Sequence, residues 1–540
     1  MTLRWMFQQY SKPEEIYCKI CHIFLPIVRI LIEANQTEHI ETVALQICYD
    51  FRILIDVCRG AIHEYQDVVL QVISLTDYSD KTLCSLALHC DRQTDYPALN
   101  WTVAIPDHKP TPQPPKPPSP SASKLKILHL ADIHVDFEYK PGSQADCLEP
   151  LCCRNGLPLP GQPAAGFWGT SLLCDIPYWT AEAILEYAAK AEEIDFIYYT
   201  GDTPAHNVWN QSRADQLYSI NTINHLLART FPNKVIYSTI GNHEAAPCNL
   251  FPTPLIRSDN ISWLYQVIAD NWINSLGLPN STRETILRGV FYTILVRPGL
   301  LLISLNTNYY APENYWLFIN STDPLNQLEW LIQWLQYAED HGEKVHIIAH
   351  HPPRTCLAAY GWNFNRIVNR FENTISGQFY GHTHRDEFNI FYDENDHQRP
   401  ISIAYIAPSL TTGSFLNPGY RVYTMDGEYP SSSYWILDHH TVIMNLTATN
   451  IYNKTIMIDE YSAQTAYQLE NLFPDDWNNF IKRLEDDIDG PLMSTVYKYY
   501  IKSHADGSQC DHVCRRALIC TFKTIRENDQ HACDSIPPFV

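Results

Sequence analysis

Five short segments carry residue types that bind divalent metal ions: Asp132-Ile-His134, Gly201-Asp202, Gly241-Asn242-His243-Glu244, His350-His351 and Gly381-His382-Thr383-His384. Imidazole nitrogen and carboxylate oxygen are donors suited to zinc, manganese or iron. A central carboxylate can bridge two such ions. Two ions about 3.5–4 Å apart neutralise a phosphate ester, acidify a water between them and hold attacking and leaving oxygens in line. One pair alone, such as His382 and His384 in GQFYGHTHRDEF, reads equally well as the polar end of a strand. All five segments in order, across residues 132–384, point to a dinuclear centre for phosphoester chemistry.

Each segment follows a short apolar run rich in β-formers: KLKILHLA, IDFIYYT, KVIYSTI, KVHIIA and TISGQFY. Helical stretches such as Thr180–Glu193 and Gln327–Ala338 lie between them, so residues 124–461 read as an α/β catalytic domain. Open α/β sheets collect ligands at the carboxyl ends of their strands. The five strand ends therefore define one site. Glycines beside Asp202, Asn242 and His382 allow sharp turns after each strand.

The 540 residues are 45% apolar and 18% charged, a globular balance. Net charge is 38 − 60 = −22. That argues against broad nucleic-acid binding and fits an acidic compartment. No stretch approaches the ~20 apolar residues of a membrane helix. Most of the 16 cysteines cluster: Cys18, Cys21, Cys48, Cys58, Cys84 and Cys90; then Cys147, Cys152, Cys153 and Cys174; then Cys510, Cys514, Cys520 and Cys533. Cys248 and Cys356 stand apart. The clusters imply local disulfides in an oxidising compartment. Cys18-x-x-Cys21 also has zinc-finger spacing, without a second pair at finger distance. Sequons at Asn35, Asn100, Asn210, Asn260, Asn280, Asn320, Asn445 and Asn453 agree with secretory passage. The opening MTLRWMFQQYSKPEEIY has no signal-peptide apolar region, so a missing or removed segment is expected.

Residues 14–96 carry helical stripes over 18–32, with Pro26 as a kink, over Thr42–Cys58 and over Ala61–Leu75. Cysteine pairs enclose them, as in a small stapled helical unit. Residues 97–123 contain IPDHKPTPQPPKPPSPSAS and read as an extended spacer of ~3.1 Å per residue. Residues 462–540 turn helical and aromatic, closed by local disulfides.

The ordered motif set resembles the calcineurin-like metallophosphoesterase family. Residues 14–96 resemble a saposin-type domain. DCLEPLCCRNG, TGDTPAHNVW, GNHEAAPCNLFP, INSTDPLNQLEWL and FYGHTHRDEF resemble the acid sphingomyelinase family, which matches nearly the whole chain from about residue 15. The resemblance implies an α+β multidomain chain: a stapled saposin-like domain, a metallophosphoesterase domain with a central β-sandwich flanked by helices, and a helical C-terminal subdomain. It implies the pairs Cys18–Cys90, Cys21–Cys84 and Cys48–Cys58. A helical bundle with a buried apolar face is the plainer reading of residues 14–96.

Carried over by motif, one metal takes Asp132, His134, Asp202 and His384. The other takes Asp202, Asn242, His350 and His382. Two zinc ions are the implied cofactors. His243 is favoured to protonate the leaving group and His206 to contact phosphate or support the acid, with either able to be the acid. The implied reaction is phospholipase C-type hydrolysis of sphingomyelin to ceramide and phosphocholine by a metal-activated hydroxide. The saposin-like part would present lipid from an anionic membrane surface. The implied protein is a lysosomal or secreted monomeric glycoprotein. Nucleotides or other soluble phosphodiesters are the alternative substrates, with no other nucleic-acid binding. A non-catalytic lipid carrier is a third reading.

Two departures stand out. The family carries a cysteine within the stretch matching Asn306–Tyr310, paired with the one matching Cys356; here that stretch is NTNYY. A Cys248–Cys356 link is expected instead. In HHPPRTC, His351 and Arg354 replace an apolar residue and a glycine. His351 is expected to face outward, with an extra proton donor as the alternative reading, and Arg354 to alter phosphate or headgroup contact.

Overall fold

The structure, a computed structural model, describes residues 14–88, 100–504, 510–526 and 533–536. Its strands are β1 (Lys124–Leu130), β2 (Val135–Asp136), β3 (Ile176–Pro177), β4 (Phe196–Tyr199), β5 (Ile236–Ser238), β6 (Tyr292–Arg297), β7 (Leu300–Ser304), β8 (Lys344–Ile348), β9 (Ile375–Tyr380), β10 (Glu387–Tyr392), β11 (Pro400–Ile406), β12 (Gly419–Asp426), β13 (Ile436–Met444) and β14 (Met457–Ser462). Two six-stranded sheets form the centre, in the orders β14-β13-β12-β1-β4-β5 and β10-β11-β9-β8-β7-β6. Strands β1, β4 and β5 run parallel, as do β7, β8 and β9. Strands β7, β9 and β11 are buried along their whole length, which is why they read as unbroken rather than alternating apolar runs. One core spans both sheets and takes in Trp477, Phe480 and Phe522 from the C-terminal helices. This is the sandwich flanked by helices that the resemblance implied.

Among the described residues the N-terminal unit has four helices: α1 (Glu14–Glu33), α2 (Glu38–Asp50), α3 (Ile55–Leu75) and α4 (Asp80–Leu88). The expected stretch Thr42–Cys58 is split. Helix α2 stops at Asp50, the chain turns through Arg52 at φ 58°, and α3 begins at Ile55 and absorbs the third expected stretch. The Cys48–Cys58 disulfide spans that turn. A shared apolar face across it mimics one continuous helix in the sequence. Cys21 pairs with Cys84; the expected Cys18–Cys90 pair ends at a residue outside the described ones.

The other bridges are Cys147–Cys152, Cys153–Cys174, Cys510–Cys514 and Cys520–Cys533. The expected Cys248–Cys356 bridge is not formed; both residues are buried thiols. Cys248 Sγ turns to the Asn242 carbonyl at 3.5 Å, and Cys356 Sγ to that of Pro352 at 3.7 Å. Beside Cys356, Tyr310 stacks on Tyr360 with ring centroids 4.1 Å apart, so aromatic packing fills the place where the resemblance implied a cysteine. Seven of the eight sequon asparagines are exposed; Asn445 is half-buried.

The proline-rich segment is not a free spacer. Trp101 joins the main core. Asn363 donates to the Trp101 carbonyl and accepts from the Val103 amide, at 2.8 and 2.9 Å. Lys109 pairs with Glu372 at 2.6 Å and with Asp393 at 3.3 Å. Residues 101–113 thus lie as a strap along helix Ala358–Arg370 and the turn after it. Among the described residues no helix is long and apolar enough to cross a membrane.

Candidate metal centre

The ends of β1, β4 and β5 from one sheet meet those of β8 and β9 from the other. Backbone bonds knit these ends together: Asp132 N to Gly201 O at 3.0 Å, His134 N to Asp202 O at 3.1 Å and Gly381 N to His350 O at 3.0 Å. The His382 amide reaches across sheets to Asp132 Oδ1 at 2.8 Å. Asp132, His134, Asp202, His382 and His384 all adopt left-handed backbone, with φ between 42° and 75°. Non-glycine residues rarely do so, and such strain gathers at functional sites. Gly241 is required by a close approach: a Cβ there would lie 2.1 Å from Asp202 Oδ1.

All seven expected ligands come together. Asp202 Oδ2 lies 3.5 Å from His134 Nε2 on one side and 3.1 Å from His350 Nε2 on the other. On the first side, His134 Nε2 and His384 Nε2 are 3.0 Å apart, and His384 Nε2 is 3.7 Å from Asp132 Oδ1. On the second, Asn242 Oδ1 is 2.9 Å from His350 Nε2 and 3.2 Å from His382 Nδ1. The other nitrogens of two rings are spoken for: His134 Nδ1 donates to Pro204 O at 2.8 Å, and His350 Nδ1 to Thr200 O at 2.7 Å. Their Nε2 lone pairs therefore face inward.

This donor set fits divalent metal ions. Two imidazole nitrogens confront each other at 3.0 Å. Asp132 Oδ2 is buried with no hydrogen-bond partner. Burial, together with the like charge of Asp202, pushes the Asp132 carboxyl up from its ordinary range. Cations between these groups would resolve each conflict.

His206 and His243 flank the first side, with ring centroids 4.6 Å apart and 4.0 and 4.7 Å from His134. Asp175, missed in the sequence, grips His206. Its carboxylate oxygens both lie 2.9 Å from Nδ1, and it accepts the His206 backbone N–H at 2.7 Å. Burial pulls the His206 pKa down, but the Asp175 carboxylate more than reverses this and leaves it raised. Burial lowers His243 to about 4. Its ring nitrogens are buried without hydrogen-bond partners, while its amide donates to Asp202 Oδ1 at 2.9 Å. Glu244 and Gln216 support the turns: Glu244 accepts from the Thr203 amide at 2.7 Å, and Gln216 donates to His243 O at 2.8 Å.

His351, expected outward, is instead fully buried, its ring 3.9 Å from that of His382. The chain has left β8, so strand alternation no longer sets its direction. Arg354 pairs with Glu387 at 2.7 Å, which neutralises the charge expected to meet a headgroup. A cavity of about 1210 Å³ lies at the opposite strand ends, around Lys124, Lys126 and Asp195, and has no part in this centre. A cavity of about 210 Å³, almost wholly apolar, sits in the N-terminal unit among Phe24, Val28, Ile40, Val69 and Leu70, closed by Tyr315 of the catalytic domain.

Two strand-end clusters of His, Asp and Asn, bridged by one carboxylate at the rim of a β-sandwich, define a metal-dependent phosphoesterase. Residues 125–386 accordingly match the calcineurin-like phosphoesterase family model, and residues 399–535 match the acid sphingomyelin phosphodiesterase C-terminal region. A sphingomyelin phosphodiesterase of Bos taurus is 42% identical, over 92% of this chain and 80% of the relative. One of Homo sapiens is 41% identical, over 96% and 83%. A cyclic GMP-AMP phosphodiesterase of Mus musculus is 29% identical, over 74% and 88%. The chain belongs to the sphingomyelin phosphodiesterase family, hydrolases that use divalent metal ions.

Proposed function

We propose that the protein hydrolyses sphingomyelin to ceramide and phosphocholine at this centre. The observation that carries the reading is Asp202 Oδ2, set between His134 and His350 where a bridging carboxylate belongs. Asp132, His134, Asp202 and His384 would hold one ion, and Asp202, Asn242, His350 and His382 the other, with zinc suited to the imidazole-rich set. When bound, such a pair supplies charge neutralisation for the phosphodiester and an acidified water. The neutral Asn242 limits negative charge facing the substrate.

The departing ceramide alkoxide needs a proton. We assign this to His206 rather than His243. Asp175 fixes the proton on Nδ1, orients the ring and stabilises its charged form, so Nε2 can deliver a proton. His243 holds Asp202 through its backbone amide, and its neutral ring is placed to contact phosphate. The apolar cavity above Tyr315 suits an acyl chain, and the helical unit would engage an anionic membrane surface. The chain would act as a monomer in a lysosomal or extracellular setting.

The test is phosphocholine release from sphingomyelin vesicles by zinc-loaded full-length protein at acidic pH, beside nucleotide phosphodiesters. Release from vesicles with weak nucleotide turnover supports the reading. Nucleotide turnover without release from vesicles would replace it with the soluble-substrate alternative.

A further inference from the structure

His351 lies against the centre without belonging to the seven-residue ligand set. It is fully buried, and neither ring nitrogen has a hydrogen-bond partner. Leaving such a group unsatisfied is costly, and each one kept in a native structure needs an account, a bound ion among them. Its ring centroid is 3.9 Å from that of His382 and 5.1 Å from that of His350. One ring nitrogen from each of the three lies within 4.8 Å of the others. The His351 amide donates to Thr307 Oγ1 at 2.8 Å, so the backbone is pinned with the ring turned inward.

We propose that His351 supplies a third imidazole to the metal position of Asp202, Asn242, His350 and His382. The inference rests on the dinuclear reading above. A third nitrogen donor shifts this position toward zinc and away from harder ions. It also makes this ion the slower of the two to leave.

The experiment is zinc release from the loaded full-length protein into a chelator, followed by metal analysis of the retained protein. Wild type should hold two ions and release them in a fast and a slow phase. His351→Leu, which replaces the imidazole with an apolar side chain, should keep its circular dichroism and the fast phase. Its slow phase should quicken about tenfold or more. Two ions released at unchanged rates overturn this proposal alone. A wild-type chain that takes up fewer than two ions overturns the dinuclear reading as well. If the variant does not fold, cobalt-loaded wild type decides. Five exchangeable, hyperfine-shifted imidazole N–H resonances are expected, from His134, His350, His351, His382 and His384; four would refute the assignment.

Discussion

Asp202 takes a left-handed backbone, φ 62°, accepts the His243 amide and faces both halves of the centre. Asp202→Asn keeps the shape but removes the negative charge and one of the two oxygen donors. Metal content should fall below two ions per chain and activity by more than about 100-fold; a fully loaded, inactive variant would contradict the bridging role. His206→Ala should slow sphingomyelin cleavage by about 10²–10⁴-fold. An aryl phosphodiester, whose leaving group departs without a proton, should lose far less. Equal losses on both substrates would remove His206 as the acid. The seven candidate metal donors were legible because each stands at the end of an apolar strand run. Asp175 was not: it follows Cys174 just beyond a disulfide loop, 31 residues from the histidine it orients, and nothing local marks it. The direction of His351 was equally hidden, because it depends on backbone beyond the strand.

Among elements, the strands were readable from their apolar runs, whereas the α2–α3 break was masked by a common apolar face. One contact between elements carries a pH signature away from the centre. Glu192 ends helix Tyr178–Ala191 and meets His440 of β13 at 3.2 Å and the Tyr420 hydroxyl of β12 at 3.1 Å. Burial pushes its carboxyl up, but the hydrogen bond and charge of His440, with the Tyr420 hydroxyl, outweigh that and leave it lowered. A folded pKa below the unfolded value of about 4.3 stabilises above that pH. The contribution fades as pH falls through the folded value. Glu192→Gln should therefore cost up to about 1 kcal/mol in urea melts near pH 6, with the gap closing in acid below about pH 4. A gap independent of pH would sink this account.

At the scale of the whole molecule, the helical unit rests on the loops that follow the strand ends. Phe51, Ile53, Val57 and Cys58 cluster with Ala205 and Trp209 on either side of His206. Tyr65 donates to the Cys248 carbonyl at 3.3 Å and Thr76 to that of Phe318 at 2.6 Å. Gly60 admits the closest approach, since a Cβ there would lie 2.1 Å from the Trp209 carbonyl oxygen. Gly60→Val should force the unit away and disturb the His206 loop. Turnover of a soluble aryl phosphodiester should then fall by about 10–100-fold, not only turnover of lipid. Unchanged soluble turnover would confine the unit to lipid presentation. This docking was illegible in the sequence, because apolar faces do not name what covers them. The strap over residues 101–113 was hidden for the same reason: its prolines describe an extended shape, and its anchors at Asn363 and Glu372 lie far along the chain.

The union of two sheets at one rim also orders events during synthesis. His134 and His384 are 250 residues apart in sequence and 3.0 Å apart in space. A nascent chain therefore lacks one of the four candidate donors of each position until the GHTH segment has left the ribosome. The complete donor set of both positions is thus assembled only late in synthesis, and the ion supply met after that point would set how much of the protein becomes active.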